Sequence, residues 1–491
     1  MQKSKMKKSK MDMISALPDS IIDHIFSFMD MKKVIQTSLL SKRWRNLWKS
    51  TSTLNFHILH STPYRKRIRT AFTNFVYRVL LLRDDSKIQK FNLLCPEKQL
   101  EDCHVFSWII AAIGRNVQEF ALHLYVYSDG ISYTESLYHL FMADVKKLHL
   151  IVSQLPTSFC SASKIKSLIV EGAKLPDGDC NRELTLSCSV LETLLLTDCR
   201  INHLKVFTIS TPVLKTLALY NSGGYCYCSC KVNICCPNLR SLNLSSREVK
   251  DYSLENLFTL DTVDFDVQSI RGDEGLDVVN VRRLTNVLRG ICNIRALTLR
   301  DPFLKILTDC ADLLDRVPGL FHKLRFLKVK EWSATGTCFR ALAIFIERSA
   351  CIETLVLARS KERSSSESQE GCSEDSLFQS KFYCLGTITI RDPRLDKDEL
   401  KFIKVLLNRA VVLKELVIKT TKTNSSYIKK LATFRNKLLA VPRASSSVSV
   451  TFFILLRPAG INVWVALLSY TRSYDSAANL VAFLRSDDAV M

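Results

Sequence analysis

The sequence predicts a mixed α/β (α+β) protein: three short helices, then a long stack of repeated strands, then a C-terminal block of strands and helices. Three observations predict it. Apolar residues at spacings of three and four fill a short N-terminal stretch. An apolar-x-apolar pair then recurs at intervals of 20 to 34 residues. Past residue 380, strand-like and helix-like patterns alternate. A chain of 491 residues is also too long for one compact core, so several domains or an extended repeat is expected.

The first element is Leu17 to Phe56, LPDSIIDHIFSFMDMKKVIQTSLLSKRWRNLWKSTSTLNF. Pro18 stands near the first helical position, where its missing N–H costs nothing. Ile21, Ile22, Ile25, Phe26 and Met29 make one apolar helical face. Asp30 is placed to cap a second helix carrying Val34, Ile35 and Leu39. Ser41 is placed to cap a third, with Trp44, Leu47 and Trp48. A unit of roughly 40 residues lies near the lower limit for independent folding. Its apolar surface must be covered by the rest of the chain or by a partner. At about 1.5–3 kcal/mol per buried side chain, five or six shared positions make a substantial interface.

The same residues resemble the F-box in the form common in plant proteins. The resemblance rests on the Leu17-Pro18 opening, the Ile25-Phe26 pair, and LLSKRWRNLW followed by T-L-N-F. It places the F-box at residues 12–56, behind a basic tail at 1–11. It implies docking on the Skp-family adaptor of an SCF (Skp–cullin–F-box) ubiquitin ligase, and through it on a cullin-RING ligase. By motif position Leu17, Pro18, Ile21, Ile25 and Phe26 face that adaptor. Leu40, Trp44 and Leu47 complete the contact or the small core behind it. Ser20 stands where many F-boxes have an acidic residue, which removes a surface charge and leaves the apolar face intact.

A basic stretch from Tyr64 to Arg69 leads into TAFTNFVYRVLLLR, helical by its spacing. The repeat then takes over in IQKFNLL, VQEFALHL, VKKLHLIV, IKSLIVEG, LETLLLTDC, LKTLALYN and LRSLNLSS, with a weaker copy at Val263 and Phe265. It continues in IRALTLRD, LRFLKVKE, IETLVLAR, LGTITIRD and LKELVIKT. A period in the twenties is a solenoid signature. One short strand cannot bury its apolar face alone, whereas stacked strands share a core. The intervening segments return the chain, some as helices such as CHVFSWIIAAIGRN. The repeat resembles irregular leucine-rich repeats and covers residues 60–379, with insertions or distorted units near 270–290 and 360–380. Such a stack offers a concave surface for a protein substrate, with Thr193, Thr216, Ser241, Arg325 and Lys328 as candidate contact positions.

FYCLGTITIRDPRLDKDELKFIKVLLNRAVVLKELVIKTT reads as strand, turn, helix, strand, and YIKKLATFRNKLLAVPRASSSVSVTF as a further helix and strand. This block, residues 380–453, resembles the FBD domain of plant F-box proteins, through LLNRAVVLKELVI and PRASSSVSVTF. Residues 454–491 fall outside the resemblance and stay an unassigned C-terminal extension. Ser360 to Ser376 is polar and serine-rich, and reads as a flexible loop between repeats.

Composition narrows the function. The net charge of +21 points to nucleic acid, an acidic partner or simply a basic surface, and the even interleaving of Lys and Arg favours the last. RKRIR lacks the repeated basic–aromatic pattern of a nucleic-acid site. The tail MQKSKMKKSK has no apolar run behind it, so reduced thiols in the cytosol or nucleus are expected for the 17 cysteines. Cys226, Cys228, Cys230, Cys235 and Cys236 are dense but lack the paired C-x(2–4)-C spacing of structural zinc, so no metal and no cofactor is expected. The apolar run from Val448 to Leu468 is broken by Arg457 and Pro458, which argues against a membrane span. No Gly-rich phosphate loop, H-E-x-x-H or G-x-S-x-G occurs. The expected function is a non-catalytic adaptor, cytoplasmic or nuclear, with its F-box on the ligase and its repeats on a substrate. Two other readings stay open: a basic nucleic-acid-binding protein, and a scaffold that recruits nothing for degradation.

Overall fold

The computed structural model describes residues 17–58, 65–95, 100–124, 133–221, 230–247, 250–267, 278–300, 303, 321–332, 336–349, 351–359, 381–445, 447–456 and 463–466. The chain divides into two compact units. The first holds residues 1–239 and 250–257, the second 240–249 and 258–491.

The first unit opens with helices α1 (Asp19–Ser27) and α2 (Met31–Thr37) and a 3₁₀ turn at Leu47–Lys49. Strands and helices then alternate: β1 (Thr53–His57), α3 (Arg65–Leu82), β2 (Lys90–Cys95), α4 (Asp102–Ile113), β3 (Glu119–Leu124), α5 (Thr134–Met142) and β4 (Lys147–Ile151). There follow β5 (Ser167–Glu171), β6 (Glu183–Leu186), β7 (Thr193–Thr197), β8 (Val206–Ile209), β9 (Thr216–Asn221) and β10 (Lys231–Cys235). After β11 (Ser241–Ser246), which belongs to the second unit, β12 (Tyr252–Glu255) completes the first. Strands β1, β2, β3, β4, β5, β7 and β9 pair in that order, all parallel. Strands β2, β3, β4, β5 and β7 bury alternate residues, as the period of two requires, whereas β1 buries Thr53 to Phe56 in a row. The pairing aligns those residues across strands, so that Phe91 sits opposite Phe120 with rings stacked at 4.9 Å.

The returns change character within this unit. Helices α3, α4 and α5 make the first three, burying Val76 and Val79, then Trp108 and Ile109, then Leu140 and Phe141. Later returns are strands: β6, β8, β10 and β12 form a second parallel sheet. The alternation of Leu184/Leu186, Phe207/Ile209 and Val232/Ile234, all buried, has the same period of two and explains it. Only glycine fits before β6, because a Cβ on Gly178 would stand 2.7 Å from the backbone N and O of Glu183.

The second unit holds β11, β13 (Thr262–Val267), α6 (Val278–Gly290), β14 (Ala296–Arg300), β15 (Phe326–Lys330), α7 (Gly336–Arg348) and β16 (Thr354–Ala358). It continues with β17 (Thr387–Arg391), α8 (Lys397–Arg409), β18 (Glu415–Thr420), α9 (Ser425–Leu439), β19 (Ser449–Leu456) and β20 (Val463–Ala466). Its strands pair in sequence order and parallel from β11 to β19. Part of the expected gap near 270–290 is helix α6. The alternation expected past residue 380 is present as β17, α8, β18, α9 and β19. The last strand, however, runs to Leu456, and β20 pairs with it antiparallel, so the expected 454–491 extension is partly strand. The run from Val448 to Leu468 contains these two strands, and no helix among the described residues is long and apolar enough to cross a membrane. The basic tail at 1–11, the Ser-rich loop at 360–376, and Cys226 and Cys228 lie outside the described residues.

Helix α8 starts with a reciprocal cap. Asp396 Oδ1 accepts from Glu399 N at 2.8 Å, and Glu399 Oε2 accepts from Leu395 N at 2.9 Å. Phe402, Ile403, Leu406 and Leu407 fill its buried face, and Phe402 stacks on Phe339 at 4.3 Å. Glu399 shares that burial, which pushes its carboxyl up to about 7. A carboxyl raised in the fold favours folding only while protonated. Its contribution therefore declines as pH rises from the unfolded value, about 4.3, toward 7. Glu399→Gln should gain stability relative to the parent by a few kcal/mol between pH 4.5 and 8. Thermal unfolding across that range checks it, with parallel curves as the contrary outcome.

Candidate functional site

The expected single apolar face of α1 is split in two. Ile22 and Phe26 are each 1% exposed, whereas Ile21 is 46% and Ile25 38% exposed. Positions four apart share a face, so each pair forms its own stripe. Met31, Val34, Trp44 and Trp48 are buried as well, and Phe26 packs edge-on to Trp44 at 5.8 Å. Phe26, expected to face a partner, is therefore part of the chain's own core. Trp44 falls on the core side of the choice left open for it.

Polar groups fix this helical unit to the sheet. Asp23 Oδ1 accepts from Thr51 Oγ1 at 2.6 Å and from Ser52 N at 3.0 Å, and its Oδ2 from Ser52 Oγ at 2.7 Å. Asn55 on β1 donates to the carbonyls of Ser27 and Met29, each at 2.9 Å, and accepts from Asn92 on β2 at 2.6 Å. Asp30 caps α2 by accepting from Lys32 N at 2.8 Å, as its position predicts. Buried Arg83, just after α3, donates to the Thr51 carbonyl at 2.7 Å.

The third helix is not an α-helix. Ser41 Oγ accepts from Trp44 N at 3.3 Å, but the chain then runs through turns into the 3₁₀ segment Leu47–Lys49. Its end is held at Thr51 and Ser52 by Asp23. Helix α2 ends earlier than its apolar pattern implies. The hydroxyls of Thr37 and Ser38 bond back to Val34 O at 2.6 Å and Ile35 O at 2.5 Å. Leu39 then leaves the helix at 87% exposed, beside Leu40 at 72%. An ion pair between Arg43 and Asp19 seats this segment next to the first turn of α1.

Pro18, Ile21, Ile25, Leu39 and Leu40 thus remain exposed, Leu39 and Leu40 most of all, with Leu17 and Leu47 half-buried. Exposed Phe28, edge-on to His24 at 5.0 Å, adds to them. Sequence reasoning did not single out Leu39 or Phe28 for a partner. The signal for Leu39 is the Thr37-Ser38 pair that stops the helix.

The candidate substrate positions are spread over several strands of both units. Thr193 and Thr216 are register partners at the starts of β7 and β9. Ser241 opens β11 in the second unit, and Arg325 lies just before β15, ion-paired with Glu353. Lys328 alone occupies the middle of its strand. In the cysteine cluster, burial pushes the Cys230 thiol up to about 11 and raises Cys235 and Cys236. Among the described residues, the group with metal-ligand spacing is instead Glu101, Cys103 and His104, two of them exposed, around the start of α4.

The family model for the F-box domain matches residues 14–55. The chain carries an F-box. Its relatives are of the same kind. A putative F-box/FBD/LRR-repeat protein of Arabidopsis thaliana is 26% identical over 454 residues, covering 90% of this chain and 94% of the relative. An F-box/LRR-repeat protein of the same plant is 28% identical over 377 residues, covering 71% and 76%. Another is 26% identical over 470 residues, covering 89% and 93%. The F-box helices, α1 and α2, are thus the ones whose outer apolar stripe stays open.

Two substitutions separate the stripes. Trp44→Ala removes a core ring and should cost about 3–5 kcal/mol. Leu40→Ala should change stability by no more than about 0.5 kcal/mol. Chemical denaturation monitored by tryptophan fluorescence measures both.

Proposed function

We propose that this chain is the substrate-recognition adaptor of an SCF ubiquitin ligase, its F-box docking on a Skp-family subunit and its strand repeats receiving a protein substrate. The observation that carries the reading is the F-box face itself: Ile21, Ile25, Leu39 and Leu40 are exposed while the core behind them is filled. Burying these four side chains at about 1.5–3 kcal/mol each supplies most of a stable interface. The polar ties through Asp23, Asn55 and Arg83 fix that face to the first strands, so a docked adaptor is held in a set direction relative to them.

Catalysis then belongs to the conjugating enzyme brought by the cullin-RING partner. The chain contributes proximity, which raises the effective concentration of substrate lysines. A solenoid arrangement of the repeats, with the FBD region at 380–453, supplies the receiving surface. Ion-paired and interleaved charge, as at Lys147–Glu119 and Lys215–Glu192, supports a basic surface rather than a nucleic-acid track. No cofactor or metal enters this function.

Co-expression with a Skp-family adaptor tests it. The parent should co-purify, and Ile21→Asp/Leu40→Asp should lose binding by at least about a hundredfold with an unchanged melting temperature. A folded parent that fails to bind, or a double variant that binds equally, would remove the proposal.

A further inference from the structure

The second unit carries a row of cations on the sheet face opposite its apolar rows. Arg300, Lys330, Arg391 and Lys419 follow one another in register across β14, β15, β17 and β18, interrupted only by Ala358 on β16. Lys328, two residues before Lys330 on β15, points to the same face.

The two ends of this row differ. At the β13–β15 end the charges are matched. Asp264 Oδ2 accepts from Lys330 Nζ at 2.7 Å, and Asp266 Oδ2 stands 3.4 Å from the same nitrogen. Arg300 pairs with both Asp266 and Glu331. Three carboxylates are thereby committed to two cations. Farther along, Lys328 and Arg391 form no ion pair with any described residue. Lys328 is half-buried, and that burial, with the positive charges of Arg391 and Lys330, holds its pKa below the ordinary lysine value. Asp264 opposes the effect but is already taken by Lys330. Lys419 lies over the Phe453 ring at 5.7 Å, which leaves its charge on the same face.

The floor between these cations is low. Val356, Thr389 and Val417 share the register row of Lys328 and are nearly covered. That row carries no aromatic ring, and Phe453, the ring on this face, lies on β19 beneath Lys419. Strands two apart stand about 9.6 Å from one another, a span that acidic residues two to four apart on an extended segment can bridge.

We infer that the β15–β18 face around Lys328 and Arg391 is a docking site for an acidic, carboxylate-bearing peptide segment of the recruited protein. The inference rests on the adaptor reading above and names the substrate chemistry for it. An incoming carboxylate relieves the repulsion between Lys328 and Arg391, and the guanidinium of Arg391 can grip it through two parallel hydrogen bonds.

The test uses the full chain and three fluorescent probes in about 150 mM salt. One is a dodecapeptide alternating Glu and Ser, one its Gln counterpart, and one a single-stranded oligonucleotide of matched charge. Lys328→Gln/Arg391→Gln should weaken binding of the Glu peptide by about tenfold or more. Lys429→Gln/Lys430→Gln, which removes two exposed charges from α9, should change it by less than about twofold. Arg391→Lys should lose part of the binding, because an ammonium keeps the charge but not the paired hydrogen bonds, and the first double variant should melt at or above the parent temperature because it removes crowded cations. Equal weakening by both double variants, equal binding of the Glu and Gln peptides, or oligonucleotide binding alone lost through Lys328 and Arg391 would overturn the inference. Adaptor binding is measured on the same samples. If it fails while the peptide result holds, the ligase reading falls and the acidic-peptide site stands. If it holds while the peptide result fails, only this inference falls.

Discussion

Parallel, in-register pairing of short strands is the constraint on which the rest of this protein depends. A strand of five or six residues buries two or three side chains, too few to hold itself. Only when Leu148 lines up with Leu168, and Leu168 with Leu194, does a continuous apolar layer arise. The same register sets what the other face displays. It aligns cations of the second unit into one row, Arg300, Lys330, Arg391 and Lys419.

The F-box is built on that pairing rather than beside it. Asn55 belongs to β1, yet its amide holds the end of α1 while its oxygen takes a bond from Asn92 on β2. The helical unit is small, so these ties and the Phe26–Trp44 contact do what a larger core would do elsewhere. One consequence is functional. With its inner stripe spent on packing, α1 keeps a second stripe, Ile21 and Ile25, that is exposed.

Much of this was legible in the sequence. The strand copies were readable because each carries its own apolar-x-apolar pair, and helix α4 because Val105, Trp108 and Ile109 share a face. The second sheet was missed for a physical reason. Its strands, such as VFTI at Val206–Ile209, carry the same short alternation as the main strands, and composition alone does not say which sheet a strand joins. At the F-box, periodicity marked the apolar residues of α1 but not how they divide. That depends on where Trp44 and Trp48 land, which is set by contacts between residues distant in sequence. The separation of Arg325 from Lys328 was equally hidden, since it depends on where β15 starts.

The most direct test of the central claim, that the outer stripe of the F-box is the docking face, is hydrogen exchange with and without a purified Skp-family adaptor. The amides of Leu39 to Arg43, which lie outside α2, should slow markedly on adding the adaptor, while the strands of the second unit exchange as before. Unchanged exchange at Leu39 to Arg43, in a sample where the adaptor demonstrably binds, would place the docking surface elsewhere and contradict it.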